Sequence, residues 1–381
     1  MEAICAQVPG AQTSQNLRRT HHGLRVAIGR VLAFVFLGIL PLALLARFAL
    51  LRETFFGFDF HVFWQAGRDF VHGTSPYPAH TTDVIASKEN FVYPAWVAAA
   101  LVPIGLLPYS VAVTVFSGIL IASTALALRV LGIRDWRCYG AVFVALPTFS
   151  SLEMGTLSPL LLLALAVLWR YRDDRRVAVP ALAILVASKL FLWPLLVFFV
   201  ATKRTKTAAL ACGAALAATL IAWARLGFAG LTEYGSLLRL VAQVEERDSY
   251  SVTALGLAMG LPRPVAQVGA VLLGAAALAA SVALARRARA EQDAFVMILA
   301  AALLFSPIVW GHYLLLLFVP IALRYPRFSP LWLAIAWMPP DNRHSNVVLV
   351  LGVLATTIVI AGCPRPLRRR PAVAIPAPIR A

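Results

Sequence analysis

The sequence predicts an all-α, polytopic integral membrane protein of about 12 transmembrane helices, with further juxtamembrane helices on the outer face. Three observations predict it. Of 381 residues, 60% are hydrophobic and 13% charged, where soluble domains carry about 25% charged residues. Apolar runs such as VLAFVFLGILPLALLARFALL from Val31 and VAQVGAVLLGAAALAASVALA from Val265 reach the roughly 20 residues that cross about 30 Å of hydrocarbon. Basic clusters then recur between the apolar runs, as cytoplasmic loops do under the positive-inside rule.

Residues 1–27 are a basic segment with Arg18, Arg19 and Arg25, predicted to be cytoplasmic. The run that follows is too long for the core of a cleaved signal peptide, so 28–51 is read as a retained span. It opens a transmembrane domain over 28–362, which a cytoplasmic Arg/Pro-rich tail, 363–381, follows. An outer loop at 52–109 leads to a span at 110–131, which returns the chain to Arg129, Arg134 and Arg137. Spans at 138–152 and 157–171 come next, ending at RYRDDRR. The block 177–202 is predicted as two short spans hinged near Lys189, with Pro194 helping to break the helix. Only that pairing returns Lys203, Arg204 and Lys206 to the cytoplasm. The remaining spans are 208–226, 264–285, 294–309, 311–323, 329–340 and 345–362, with a second outer loop at 227–262.

In this threading both termini are cytoplasmic, at the plasma membrane, and the excess behind the net charge of +17 lies on the inner side. That charge is topology and implies no nucleic-acid partner. The apolar stretch Phe91–Pro108 is interrupted by Pro94, Pro103 and Pro108. Counting it as a crossing would reverse every later basic loop, so it is read as a juxtamembrane or re-entrant outer helix. Cys5, Cys138, Cys212 and Cys363 form no CxxC pattern, which argues against a zinc or redox site.

Polar chemistry collects on the predicted outer face. In FGFDFHVFWQAGRDFVHGTSPYP, Phe60, Phe63, Trp64, Gly67, Phe70 and Val71 recur at spacings of three and four. This is the apolar face of a helix lying on the membrane. Asp59 stands where that helix would begin, either as its N-cap or as a costly interfacial carboxylate kept for function. Glu153 and Ser158 flank one outer turn, Lys189 sits at the hinge, and Trp310 and His312 lie in SPIVWGHY. The plain structural alternatives are a snorkelling Lys189 and a hydrogen-bonded core His312. Trp136, Trp332 and Trp337 read as an interfacial belt. No phosphate-binding GxxxxGK[ST] loop, HExxH or GxSxG occurs, so nucleotide hydrolysis, zinc proteolysis and elbow-type esterase chemistry lack support.

At these residues the chain resembles the GT-C glycosyltransferases of family 87. Known members include polyprenyl-phosphate-mannose-dependent α-1,2-mannosyltransferases and an arabinofuranosyltransferase. The resemblance rests on Asp59, Phe63, Ala66-Gly67, His72-Gly73 and Pro76-Tyr77, followed in order by FVYP, SKLFLWPLL and SPIVWGHY. It covers about residues 55–325 and implies a GT-C fold with an extracytoplasmic active site. It also implies that Asp59 is the catalytic base and that Lys189, Trp310 and His312 belong to the site. Three places depart from the family's pattern: Gly155-Thr156-Leu157-Ser158, His312-Tyr313 and Ser249-Tyr250-Ser251.

The chemistry expected is therefore inverting transfer of a sugar, mannose first, to a hydroxyl of an envelope glycolipid or glycan. No nucleotide sugar is supplied outside the cell, so the donor would be a polyprenyl-phosphate sugar held in the lipid bilayer. Its phosphate leaves as a dianion, which calls for positive charge and hydrogen-bond donors; Lys189 and His312 are the candidates. Asp59 would take the acceptor's proton. His61, Trp64, Tyr77, Tyr93, Glu153, Ser158 and Trp310 are read as substrate contacts. The opening motif offers Asp59 and His61 without a DxD pair, so neither a metal nor another cofactor is expected. Arabinofuranosyl transfer is the alternative within the family. A transporter or flippase of a lipid-linked sugar is the alternative outside it.

Overall fold

The computed structural model describes residues 27–55, 57–77 and 90–335, and these are helices and their connections throughout. Most of the predicted N-terminal segment, the later part of the span at 329–340, the span at 345–362 and the tail lie outside the described residues. So do Cys5, Trp337 and Cys363.

The first helix, α1, runs over 27–55 and carries a π-helical turn at Val35–Ile39. Its cause is Pro41, which has no N–H to give the Leu37 carbonyl four residues back. The freed carbonyl turns toward Gly140, where a Cβ would stand 1.8 Å from the Leu37 oxygen.

Two shorter helices follow, α2 (Phe58–His72) and α3 (Ala95–Gly105). At 11 residues, α3 is about 16 Å long, half of what a span needs, and it lies along α2. The two backbones nearly touch: a Cβ on Gly67 would stand 2.7 Å from the Leu101 oxygen, and one on Gly105 2.9 Å from the Arg68 nitrogen. Gly67→Ala is therefore expected to cost about 1–3 kcal/mol, measured as a lower melting temperature in detergent. Gly118→Ala, also inside a helix but with no neighbour within 4 Å of its Cβ, serves as control and should melt at or slightly above the wild-type value.

The bundle continues with α4 (Tyr109–Val130), α5 (Trp136–Val144), α6 (Leu146–Met154) and α7 (Ser158–Arg170). The single span predicted at 138–152 is thus two nine-residue helices. Ala145 between them is extended, φ −67° and ψ 134°, because Pro147 can neither donate to Phe143 nor fit against its carbonyl.

The hinged pair is present as α8 (Arg175–Ser188), a 3-10 turn at Leu190–Leu192, and α9 (Pro194–Ala201). Lys189 is the break, extended at φ −136° and ψ 104°. Pro194 opens α9, where its missing N–H costs nothing, and so starts a helix where the sequence suggested that it ends one.

Beyond lie α10 (Thr205–Arg225), α11 (Tyr234–Glu245), α12 (Val252–Ala258), α13 (Arg263–Ala285) and α14 (Glu291–Phe305). A 3-10 stretch at Gly311–Leu317 then runs into α15 (Phe318–Arg324), and a short 3-10 turn covers Pro330–Leu333. Among the described residues four helices are long and apolar enough to cross a membrane alone: the first, over Ala27–Arg47, and α4, α10 and α13. The other predicted spans among the described residues are shorter or broken.

The five described loops predicted to be cytoplasmic meet at one end. Arg172 Nε donates to Glu291 at 2.9 Å. Arg204 pairs with Glu291 at 2.6 Å and with Asp173 at 2.5 Å. Gln292 donates to the Leu323 carbonyl at 2.7 Å, and the Phe328 N–H to Asp135 at 3.0 Å. Single exposed pairs contribute little; linked in series, these tie the helix ends together. The main apolar core lies between, built on Leu162, Leu165, Phe198, Phe295 and Phe318.

Candidate active site

At the opposite end is a cavity of about 490 Å³, the size of a small-ligand site. Among the described residues its wall is drawn from the predicted outer loops and from the span ends and hinge beside them: 58–63, 90–94, 146–154, 188–191, 234–250 and 306–313.

The entry to α2 sets the first wall. Gly57 is left-handed, φ +97°, and its N–H donates to the Glu153 carbonyl at 2.9 Å, joining the start of α2 to the end of α6. The helix begins at Phe58, so Asp59 is its second residue and Gly57 its N-cap; the capping role considered for Asp59 is excluded. Asp59, Val62 and Phe63 share the face toward the cavity. Among the described residues the Asp59 carboxylate accepts no hydrogen bond. Burial raises its pKa from the ordinary carboxylate range to about 6, against a downward pull from the positive charge of Lys189.

The other faces of α2 do different work. Phe60 stacks on Phe116 with centroids 4.9 Å apart. His61 and Trp64 turn toward Tyr109; Trp64 Nε1 donates to the Leu107 carbonyl at 3.0 Å, and the Arg68 guanidinium lies 4.6 Å over its ring. His61 and Trp64 are therefore absent from the cavity wall. So are Tyr77 and Ser158. Tyr77 stacks on Trp223 at 5.8 Å and donates its hydroxyl to the Tyr93 carbonyl at 3.1 Å. Ser158 is buried in the first turn of α7, its N–H on Thr156 Oγ1 at 3.3 Å.

Lys189 faces Asp59's side of the cavity from the α8–α9 break. Its ammonium donates to the Tyr313 hydroxyl at 2.5 Å and sits 4.0 Å over the Tyr93 ring, a cation–π contact. Trp310 and His312 complete this wall. His312 is buried, edge-on to Tyr313 at 4.8 Å. The turn that carries them is pinned to the loop before α12: the Tyr250 N–H donates to the Val309 carbonyl at 2.7 Å, and the Val309 N–H to Ser249 Oγ at 3.1 Å.

A half-buried carboxylate and an ammonium thus share one enclosure, with phenols and an imidazole beside them. Such a set can accept a proton at one side and hold an anion at the other. The sequence matches the family model for glycosyltransferase family 87 over residues 91–309. The chain belongs to glycosyltransferase family 87. No curated protein and no solved structure matches it significantly.

Within this family 87 chain the matched region is narrower than the stretch from 55 to 325 that the motifs suggested. It holds Tyr93, Glu153, Ser158 and Lys189; Asp59, His61, Trp64 and Tyr77 precede it, and Trp310 and His312 follow it directly. Six of the ten residues singled out in the sequence line the cavity: Asp59, Tyr93, Glu153, Lys189, Trp310 and His312. Sequence reasoning missed Tyr313 as a site residue and the helix α11 altogether. Tyr234, Leu238, Val241, Ala242 and Glu245 of α11 face the cavity at spacings of four, three, one and three. That helical stripe was readable in the outer loop; the hydrogen bond by which the Tyr234 hydroxyl anchors it to the Val92 carbonyl at 3.0 Å, 142 residues away, was not.

Proposed function

We propose that this glycosyltransferase moves a sugar from a polyprenyl-phosphate donor to a hydroxyl of an envelope glycolipid or glycan, on the extracytoplasmic face of the plasma membrane. Mannose is the sugar favoured by the family, with arabinofuranose as the alternative. The observation that carries the reading is the pairing of Asp59 and Lys189 across one cavity. Asp59, in carboxylate form above about pH 6, takes the acceptor proton as the oxygen attacks the anomeric carbon. The bond from that carbon to the phosphate oxygen breaks, and Lys189 with His312 receives the polyprenyl phosphate. One displacement inverts the anomeric centre.

A membrane-borne donor fits the rest of the wall. Phe58, Met154 and Leu190 are large apolar residues at the cavity and 41%, 40% and 50% exposed, suited to a prenyl chain entering from lipid. Tyr250 and Trp310 on the same wall suit the apolar face of a sugar, and Tyr93 contributes through the Lys189 ammonium that it holds. The proposed fold is GT-C, with 12 spans, both termini cytoplasmic and the domain limits given above.

The test is transfer by purified protein in lipid nanodiscs, given radiolabelled polyprenyl-phosphate mannose and total envelope lipids. Label is expected to move from donor to a new glycolipid. An arabinofuranosyl donor run in parallel assigns the sugar. Silence with both donors, in protein that remains folded, would overturn the proposal and point to transport of a lipid-linked sugar.

A further inference from the structure

We infer that the Tyr313 hydroxyl is itself a ligand of the departing phosphate, a second donor beside Lys189; this rests on the cavity being a polyprenyl-phosphate site. Tyr313 is buried on the cavity wall in the first turn of the 3-10 stretch. Its ring is held from two sides, stacked on Phe191 at 5.1 Å and 21° and edge-on to His312 at 4.8 Å. The hydroxyl therefore keeps its place whether or not substrate is present.

The proton inventory makes it a donor. An ammonium has only donors, so in the 2.5 Å contact Lys189 gives and the Tyr313 oxygen accepts. The phenol still owns its O–H, and among the described residues nothing accepts that proton. An anion in the cavity can. Lys189 in turn spends one of its three N–H donors on Tyr313 and sets its ammonium 4.0 Å over the Tyr93 ring, so it cannot satisfy a phosphate alone. A phosphate monoester leaving as a dianion spreads charge over three oxygens and needs more than one donor. A phenol polarised by an ammonium is a stronger donor than a free one, and one already fixed in place costs no reorganisation when charge develops. Tyr313 keeps its proton throughout: the acceptor's proton goes to Asp59, and the phosphate departs as the hydrogen-bonded dianion.

The plainer role is a prop that only positions Lys189. A binding cycle separates the two roles. Full-length wild type, Tyr313→Phe, Lys189→Gln and the double variant are placed in nanodiscs and titrated with a short-chain polyprenyl monophosphate. Uncharged polyprenol of the same length is the control. Phenylalanine keeps the stacking on Phe191, so equal polyprenol binding by all four proteins certifies the cavity.

Tyr313→Phe is expected to weaken phosphate binding about tenfold or more in both backgrounds, as for a lost hydrogen bond to a charged group. Weakening only where Lys189 is present would make Tyr313 a positioning residue and overturn the inference. No weakening in either background would overturn it too. Wild type that binds polyprenol as tightly as its phosphate would remove the phosphate site, and both readings with it. Selective phosphate binding that Tyr313→Phe leaves unchanged would remove this inference alone.

Discussion

Sugar transfer by Asp59→Asn is expected to fall at least about 100-fold below wild type, the loss typical of a removed general base. Asparagine matches the side chain in shape and cannot take a proton. The helix start will not suffer, because Gly57 is the N-cap. Nor should stability fall. Burial lifts the Asp59 pKa from 3.8 to about 6, so the folded state holds this proton more tightly than the unfolded chain. The buried charge therefore costs stability, which is lost as pH rises from about 4 to about 6; the cost is fully present above that, and asparagine removes it. The variant should melt at or above the wild-type temperature at pH 7.5.

The wild-type pH profile follows from the same pKa. The carboxylate is the working form, so transfer should decline as pH falls through about 6, approaching tenfold per pH unit below it. Loss of that acid limb in a slow residual reaction of Asp59→Asn would identify the limb with Asp59. Full activity in the variant would reduce Asp59 to a wall residue and move the base elsewhere.

Lys189→Met should lose about 100- to 1,000-fold in transfer rate, on the scale of removing one donor aimed at developing negative charge. A second consequence is easier to separate from damage to the fold. The Lys189 charge holds the Asp59 pKa down, so without it the acid limb should move above pH 6. A variant that is slow but keeps its limb near 6 would mean that Lys189 and Asp59 are not neighbours in the working enzyme.

The break at Lys189 was legible because two independent signals met there. Only a pair of short helices over 177–202 puts Lys203, Arg204 and Lys206 with the other basic loops, and Pro194 marks a helix boundary close by. The break at Ala145 was not legible from charge, since no basic residue falls inside 138–152. Pro147 carried the signal, and an apolar run of span-like composition hid it. On α2, periodicity identified residues that share a face, and it could not tell which face meets the cavity. Asp59, Val62 and Phe63 do so, while His61 and Trp64 pack on Tyr109. The same ambiguity misplaced Tyr77, whose ring partner Trp223 lies too far along the chain for any local pattern to reveal. Tyr313 was noticed only as a departure from a family pattern. Its value comes from Lys189, 124 residues away.

The shortness of α7 and α14 bears on where the cavity can exist. At 13 and 15 residues they are about 20 and 22 Å long, whereas the hydrocarbon layer is about 30 Å thick. Neither has to match the lipid, because both are walled in by the bundle: Leu162, Leu165 and Ala166 of α7 and Phe295, Ile298 and Ala301 of α14 are buried. The helices that present apolar surface outward are longer, α4, α10 and α13 running over 21 to 23 residues, about 32 to 35 Å. In the proposed threading the outer helices keep the bilayer at its ordinary thickness, and the short inner ones leave a hollow below the outer headgroup plane. A polyprenyl phosphate would react at that depth with its chain still in the leaflet, so the bilayer would hand over its cargo sideways.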